Sequence, residues 1–216
     1  MNYASYIDHT LLKADATSKD IKYLCNEAVE YGFYSVCVNP CYIKAAKKNL
    51  KDTGVKVCSV IGFPLGASDT KVKVYEAKKA IHDGAEEIDV VINISKIKEK
   101  KFSYIEKELV SIVNAINKKA VIKVIIETCL LTKEEIVEAC KIIYKSGADF
   151  VKTSTGFSFK GAQVEDIELM KHICKDKILI KASGGINSLN HMKLLIEAGA
   201  NRIGTSHSVE IMQELS

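Results

Sequence analysis

Four times along the chain a stretch with helical periodicity ends at a glycine and passes directly into a short apolar run: Glu30-Tyr-Gly32-Phe-Tyr-Ser-Val-Cys-Val, His82-Asp-Gly84-Ala-Glu-Glu-Ile-Asp-Val-Val, Lys145-Ser-Gly147-Ala-Asp-Phe-Val-Lys and Glu197-Ala-Gly199-Ala-Asn-Arg-Ile-Gly. Glycine just past a helix takes the left-handed conformation that other residues resist, and the apolar run that follows suits a parallel strand buried on both faces. Extending this reading, strands are expected near 6–9, 34–38, 55–61, 87–92, 121–126, 149–153, 178–182 and 201–204. Helices are expected near 19–31, 41–51, 69–83, 102–117, 133–146, 164–175, 188–198 and 207–215. In the first of these, Ile21, Leu24, Cys25, Ala28 and Val29 make one apolar stripe. Thr132 and Glu135 form a capping box at another start, and Ser188 is a suitable N-cap.

Eight strands each followed by a helix predict an α/β protein, a single (β/α)8 TIM barrel occupying residues 1–216 as one domain, with short loops because such barrels usually need about 250 residues. Pro40 and Pro64 both fall in expected strand-to-helix loops, and no polar stretch is long enough to link two domains. The competing fold is an open doubly wound sheet. Against it, no Gly-x-Gly-x-x-Gly follows the first strand and no Walker lysine loop occurs.

Composition narrows the function more than the fold. With 47% hydrophobic and 27% charged residues the chain reads as a soluble globule. No apolar run approaches the roughly 20 residues that span a bilayer, and the start lacks the profile of a signal peptide, so a cytoplasmic protein without membrane contact is expected. Net charge is +4, but of 31 basic residues only Arg202 is arginine, and the lysines are spread, which is poor material for nucleic-acid binding. The run Lys96-Ile-Lys98-Glu-Lys100-Lys101 reads as solvated loop or helix starts. Seven cysteines, an odd number without a Cys-x-x-Cys pair, read as reduced thiols, and no metal site is expected. Oligomeric assembly is not specified by any apolar face.

In a barrel, chemistry gathers at the carboxyl ends of the strands. Asp8, Cys37, Asp89, Glu127, Lys152 and Lys181 are candidates there. Asp8 or Asp89 can equally brace a turn, and Lys123 with Glu127 is expected as an internal ion pair on the fifth strand. Lys152 and Lys181 end neighbouring apolar runs, where two ammonium groups repel unless one gives up its proton. A second positive charge about 5 Å away, at an effective dielectric near 20, disfavours an ammonium by about 3 kcal/mol. A neutral amine in a pocket is a nucleophile for carbonyls. For an anion such as phosphate, Ser183-Gly184-Gly185 and Gly204-Thr205-Ser206 fall in the loops after strands seven and eight, with Thr155-Gly156 as a third wall.

Taken together, Asp-His-Thr-Leu-Leu at 8–12, Val-Cys-Val-Asn-Pro at 36–40, Val-Ile-Gly-Phe-Pro-Leu-Gly at 60–66, Glu-Ile-Asp-Val-Val-Ile-Asn at 87–93, Val-Ile-Ile-Glu-Thr at 124–128, Phe-Val-Lys-Thr-Ser-Thr-Gly-Phe at 150–157 and Lys-Ala-Ser-Gly-Gly-Ile at 181–186 resemble the 2-deoxyribose-5-phosphate aldolases, in family order across nearly the whole chain. The resemblance implies a class I aldolase without metal or other cofactor. Its substrates would be small phosphorylated sugars and aldehydes. It places the Schiff-base lysine on Lys152, the second lysine on Lys181 and the proton-relay aspartate on Asp89, with Asp8, Thr10 and Cys37 in supporting positions. It places phosphate binding on Gly184, Gly185 and Ser206, while His207 stands where some members carry serine. Other Schiff-base barrels and a non-catalytic phosphosugar-binding barrel are the alternatives.

Overall fold

The computed structural model describes residues 2–175 and 177–215; Met1, Asp176 and Ser216 of the expected 1–216 domain lie outside the described residues. Eight parallel strands close into a barrel in sequence order: β1 (Ile7–Leu11), β2 (Ser35–Val38), β3 (Lys56–Ile61), β4 (Glu87–Val91), β5 (Val121–Ile125), β6 (Phe150–Lys152), β7 (Leu179–Ser183) and β8 (Arg202–Thr205). Around them run α1 (Ser18–Tyr31), α2 (Ile43–Asn49), α3 (Thr70–Asp83), α4 (Ile94–Lys98), α5 (Phe102–Ile116), α6 (Lys133–Ser146), α7 (Val164–Cys174), α8 (Leu189–Glu197) and α9 (Ser208–Gln213). The fold is therefore the (β/α)8 barrel that the alternation predicts.

Local chemistry sets the boundaries. Gly32, Gly84 and Gly147 each end a helix in the left-handed conformation, and the capping box of Thr132 and Glu135 and the Ser188 cap both form. A second capping box, Thr17 with Asp20, opens α1. The helix expected over 41–51 is instead a 3-10 turn, Pro40–Tyr42, followed by the shorter α2. The lysine-rich segment contains a complete short helix, α4, because the Asn93 side chain accepts from Lys96 N and Ile97 is fully buried. Three of the four lysines of the segment are paired, Lys96 and Lys101 with Glu99 and Lys98 with Glu135.

Alternation along each strand sorts the side chains into two populations. Val36, Val38, Ile88, Val90, Ile122, Val124, Val151, Ile180, Ala182 and Ile203 face the helices and belong to one continuous core. The inward positions differ from those of most barrels, whose interiors are filled by branched apolar residues. Leu12, Cys37, Cys58 and Val60 form a small apolar patch there, and Val91, Ile125 and Phe150, on the same faces as Asp89, Lys123 and Lys152, are buried apolar residues as well. Beside them, inward positions carry seven charged residues, Asp8, Glu87, Asp89, Lys123, Lys152, Lys181 and Arg202, all buried. Among the described residues no helix is long and apolar enough to cross a membrane.

Candidate active site

Register brings the charges together. Asp89 is level with Lys123 on β5, and Lys152 is level with Lys181 on β7. The carboxylate of Asp89 is shared by three lysines: its Oδ1 accepts from Lys123 Nζ at 3.1 Å, and its Oδ2 from Lys152 Nζ at 2.6 Å and Lys181 Nζ at 2.8 Å. Cys58 Sγ also donates to Oδ1, at 3.2 Å. Burial alone would raise the Asp89 carboxyl, yet its lysine neighbours, Lys123 foremost, overcome that cost and hold it well below the usual carboxylate range.

This carboxylate and five further groups close a ring of alternating charge. Lys181 Nζ lies 2.5 Å from Asp8 Oδ2; Asp8 pairs with Arg202; Arg202 reaches Glu87 at 3.1 Å; Glu87 meets Lys123 Nζ at 2.5 Å; and Lys123 and Lys181 return to Asp89. Burial disfavours the charge on Lys123, Lys181 and Arg202, but the adjacent carboxylates prevail and raise all three above their ordinary values. Asp8 is likewise held low by Lys181 and Arg202 against the effect of burial. The ring is neutral, three anions to three cations, and Lys152 hangs from it as a seventh group.

Lys152 is also the one of the three lysines that meets open space. It is 3% exposed while Lys123 and Lys181 are at 0%, and it lines a cavity of about 300 Å³ at the carboxyl ends of the strands. The wall facing it consists of Gly156, Gly184, Gly185, Gly204, Thr205 and Ser206. Two larger cavities, about 510 and 490 Å³, open at the amino ends of the strands and contain none of these groups.

The glycines there are required by close approach. A Cβ on Gly161 would collide with the Gly184 carbonyl, and one on Gly204 would stand 3.1 Å from Lys181 Cε, so Gly204 leaves the path by which the Lys181 stem crosses the barrel. Gly184 and Gly185 adopt φ of +82° and +69°, positions that side-chain-bearing residues take at a cost. Two hydroxyls expected to bind anions are already committed. Thr205 Oγ1 donates to Ile186 O at 2.6 Å, and Thr155 Oγ1 donates to Glu127. Both residues line the cavity, but their hydroxyl protons brace loops, which leaves backbone N–H groups and Ser206 to face an anion.

Other expectations need correction. Lys123 and Glu127 are not an ion pair: Lys123 joins Glu87 and Asp89, while Glu127, just past β5, turns away with φ of 54° and accepts from Thr155 N at 3.2 Å. Lys152 and Lys181 do not confront each other directly, because Asp89 Oδ2 stands between them. Asp8 lies at the second residue of β1 rather than its carboxyl end, which places it in the ring beneath the cavity. Thr10 lines the cavity and donates to Asp8 O at 2.8 Å, whereas Cys37 is fully buried in the apolar patch. Sequence reasoning missed Glu87, Cys58, Arg202 and Phe157, whose ring lines the cavity and packs edge-on against Phe63 at 5.2 Å. The inward parity shared by Glu87 and Asp89, two residues apart, was the available signal for Glu87.

Cys37, Cys58 and Asp89 bring three ligand atoms within 4.8 Å of one another. A divalent cation would have to displace the lysines that already occupy Asp89, so this trio is a poor fit for a metal. All seven cysteines are free thiols.

The sequence profile of the DeoC/LacD family aldolases matches residues 3–207. The deoxyribose-phosphate aldolase of Finegoldia magna is 58% identical over 213 residues, covering 99% of this chain and 100% of that one. The deoxyribose-phosphate aldolase of Thermococcus gammatolerans is 53% identical over 216 residues, covering 99% and 96%. Among solved structures, the tetrameric deoxyribose phosphate aldolase of Aeropyrum pernix superimposes with a TM-score of 0.92 at 37% identity, covering 99% of this chain and 90% of its own.

Proposed function

The chain belongs to the DeoC/LacD family of aldolases, which are carbon–carbon lyases, and on that premise we propose that it reversibly cleaves 2-deoxy-D-ribose 5-phosphate to D-glyceraldehyde 3-phosphate and acetaldehyde through a Schiff base on Lys152, in the breakdown of deoxyribose phosphate. The observation that carries this reading is that Lys152 alone of the three Asp89-bound lysines reaches the cavity walled by the glycine loops. With Lys152 neutral, the buried cluster balances three carboxylates against Lys123, Lys181 and Arg202. Balanced charge is the least costly state for ions removed from water.

In this mechanism the Lys152 nitrogen attacks C1 of the open-chain sugar and water leaves, giving an iminium. As the C3 hydroxyl passes its proton to the water beside Asp89, the C2–C3 bond breaks and its electrons flow into the iminium to form an enamine. Glyceraldehyde 3-phosphate departs, and C2 is protonated through Asp89 and a water, with Lys181 keeping the relay charged. Hydrolysis of the remaining iminium releases acetaldehyde and restores Lys152. Gly184, Gly185 and Ser206 hold the 5-phosphate, far from the reacting carbons, so its binding energy positions C1 at the amine.

Borohydride reduction with acetaldehyde, followed by peptide mass mapping, tests the assignment. A stable adduct on the peptide carrying Lys152 is expected. An adduct on Lys181 alone overturns the assignment of the nucleophile, and no adduct overturns the mechanism and favours a barrel that binds phosphosugars without cleaving them.

A further inference from the structure

Behind the wall that faces the phosphate loop lies a hydrogen-bonded row that the reaction does not use. On β1, Asp8 and Thr10 point into the barrel, so His9 between them points outward, into the space between α1 and α9. The ring is 4% exposed and packs against Phe33 at 5.1 Å between centroids. Its Nε2 lies 2.9 Å from Glu27 Oε2 on α1, and its Nδ1 lies 2.9 Å from Oγ of Ser208, the fully buried first residue of α9. Ser208 Oγ is in turn 3.2 Å from Thr205 O, the last residue of β8.

We propose that His9 is a positioning residue for anion recognition: by tying Ser208 to the barrel wall and to α1, it fixes the Thr205–His207 loop against the cavity. The inference rests on the reading of that loop as a phosphate site. Only Ser206 and His207 separate the end of β8 from the start of α9, so the two tethers define the loop. At one end Thr205 Oγ1 donates to Ile186 O at 2.6 Å and accepts from His207 N at 2.9 Å. At the other end His9 holds Ser208. A carboxylate facing Nε2 makes that nitrogen the donor, so in the neutral ring Nδ1 accepts the Ser208 proton. In the protonated ring Nδ1 donates instead, and the Ser208 proton is free for Thr205 O. Either way the tether persists. Ser206, which lines the cavity between the two tethers, therefore cannot shift far without breaking a buried hydrogen bond.

The test is steady-state cleavage of 2-deoxyribose 5-phosphate and of unphosphorylated 2-deoxyribose, with inhibition by inorganic phosphate, for wild type, His9→Ala, His9→Asn, Ser208→Ala and the Ala double variant. His9→Ala and Ser208→Ala should each raise KM for the phosphorylated sugar and Ki for phosphate roughly fivefold to tenfold, the loss of about one buried hydrogen bond. Their kcat should stay within about twofold of wild type, and kcat/KM for the unphosphorylated sugar should hold. His9→Asn, whose amide can meet Ser208 from the place of Nδ1, should recover most of the KM, and the double variant should be no worse than either single one. Equal losses on both sugars would reveal general structural support and overturn the proposal, as would a phosphate Ki that does not move. Should His9→Ala fail to fold, Ser208→Ala decides by the same criteria. A wild-type enzyme that neither prefers the phosphorylated sugar nor is inhibited by phosphate removes the phosphate reading and this proposal with it. A wild type that does both, beside variants that behave like it, removes only the role of His9.

Discussion

Replacing Lys181 by Met removes one cation from the ring while leaving Lys152 its contact with Asp89. In the native protein both amine nitrogens touch Asp89 Oδ2, at 2.6 and 2.8 Å, so they lie at most 5.4 Å apart. At an effective dielectric near 20, two unit charges at that separation repel by about 3 kcal/mol, equivalent to about two pH units. Without Lys181 the cluster keeps three carboxylates but only Lys123 and Arg202 as obligatory cations, so the remaining positive charge is most cheaply carried by the nucleophile itself. The catalytic step needs the free amine, and a condition that favours the ammonium form pushes the ascending limb of the pH–rate profile upward. Lys181→Met should therefore lose roughly a hundredfold in turnover at pH 7 and regain part of it near pH 9, with the limb displaced by about two units. Borohydride trapping of acetaldehyde, measured at both pH values, should follow the same curve, while inhibition by phosphate stays near its native strength. A folded variant whose profile keeps its native limb would refute the electrostatic role of Lys181, because loss of a proton relay alone lowers the rate without moving the limb.

Three further outcomes follow from the same geometry. Lys123→Met, which strands Glu87 and Asp89 in the interior, should destabilise the fold by about 3–5 kcal/mol in urea unfolding, with partial recovery in the double variant carrying Glu87→Gln; a loss below about 1 kcal/mol would mean that the ring is not electrostatically closed. Gly204→Ala should press a methyl group against the Lys181 stem, costing about 1–3 kcal/mol in unfolding free energy and lowering kcat, whereas an unaltered enzyme would show that the stem can move aside. Asp8 and Asp89 have folded-state pKa values below their unfolded ones, so their stabilisation is present above about pH 4 and is lost as pH falls further; Lys123, Lys181 and Arg202 are raised, so theirs is intact below about pH 10. Thermal melting should accordingly show no pH dependence from this network between about pH 5 and pH 9 and a steep fall in acid, and a midpoint transition near pH 6 would contradict it.

Much of the architecture was legible because local rules decide it. A glycine after each of four helices, a capping box at Thr132 and an N-cap at Ser188 mark boundaries by interactions within a few residues, and the structure keeps them. The short helix α4 was only half legible, since what stabilises it is the burial of Ile97 beneath neighbours distant in sequence. The lysines were legible as anomalies, charges at the ends of apolar strands. Their placement on adjacent strands followed from the order of the barrel.

Partner choice was not legible. Lys123 and Glu127 share a strand and a spacing that suit an ion pair, but β5 ends at Ile125 and Glu127 passes into a left-handed turn, which sends its carboxylate to Thr155. Asp8 and Arg202 stand 194 positions apart and meet only because β1 closes on β8. The sequence by itself determined the eightfold alternation and which strands carry charges, because side-chain parity and helix termination depend on nearest neighbours along the chain. Only the tertiary structure decided that six of those charges close into a neutral ring and leave Lys152 pendant over the cavity. Closure fixes the stagger between strands, and a shift of one residue in that stagger would turn every one of these charges out of the barrel.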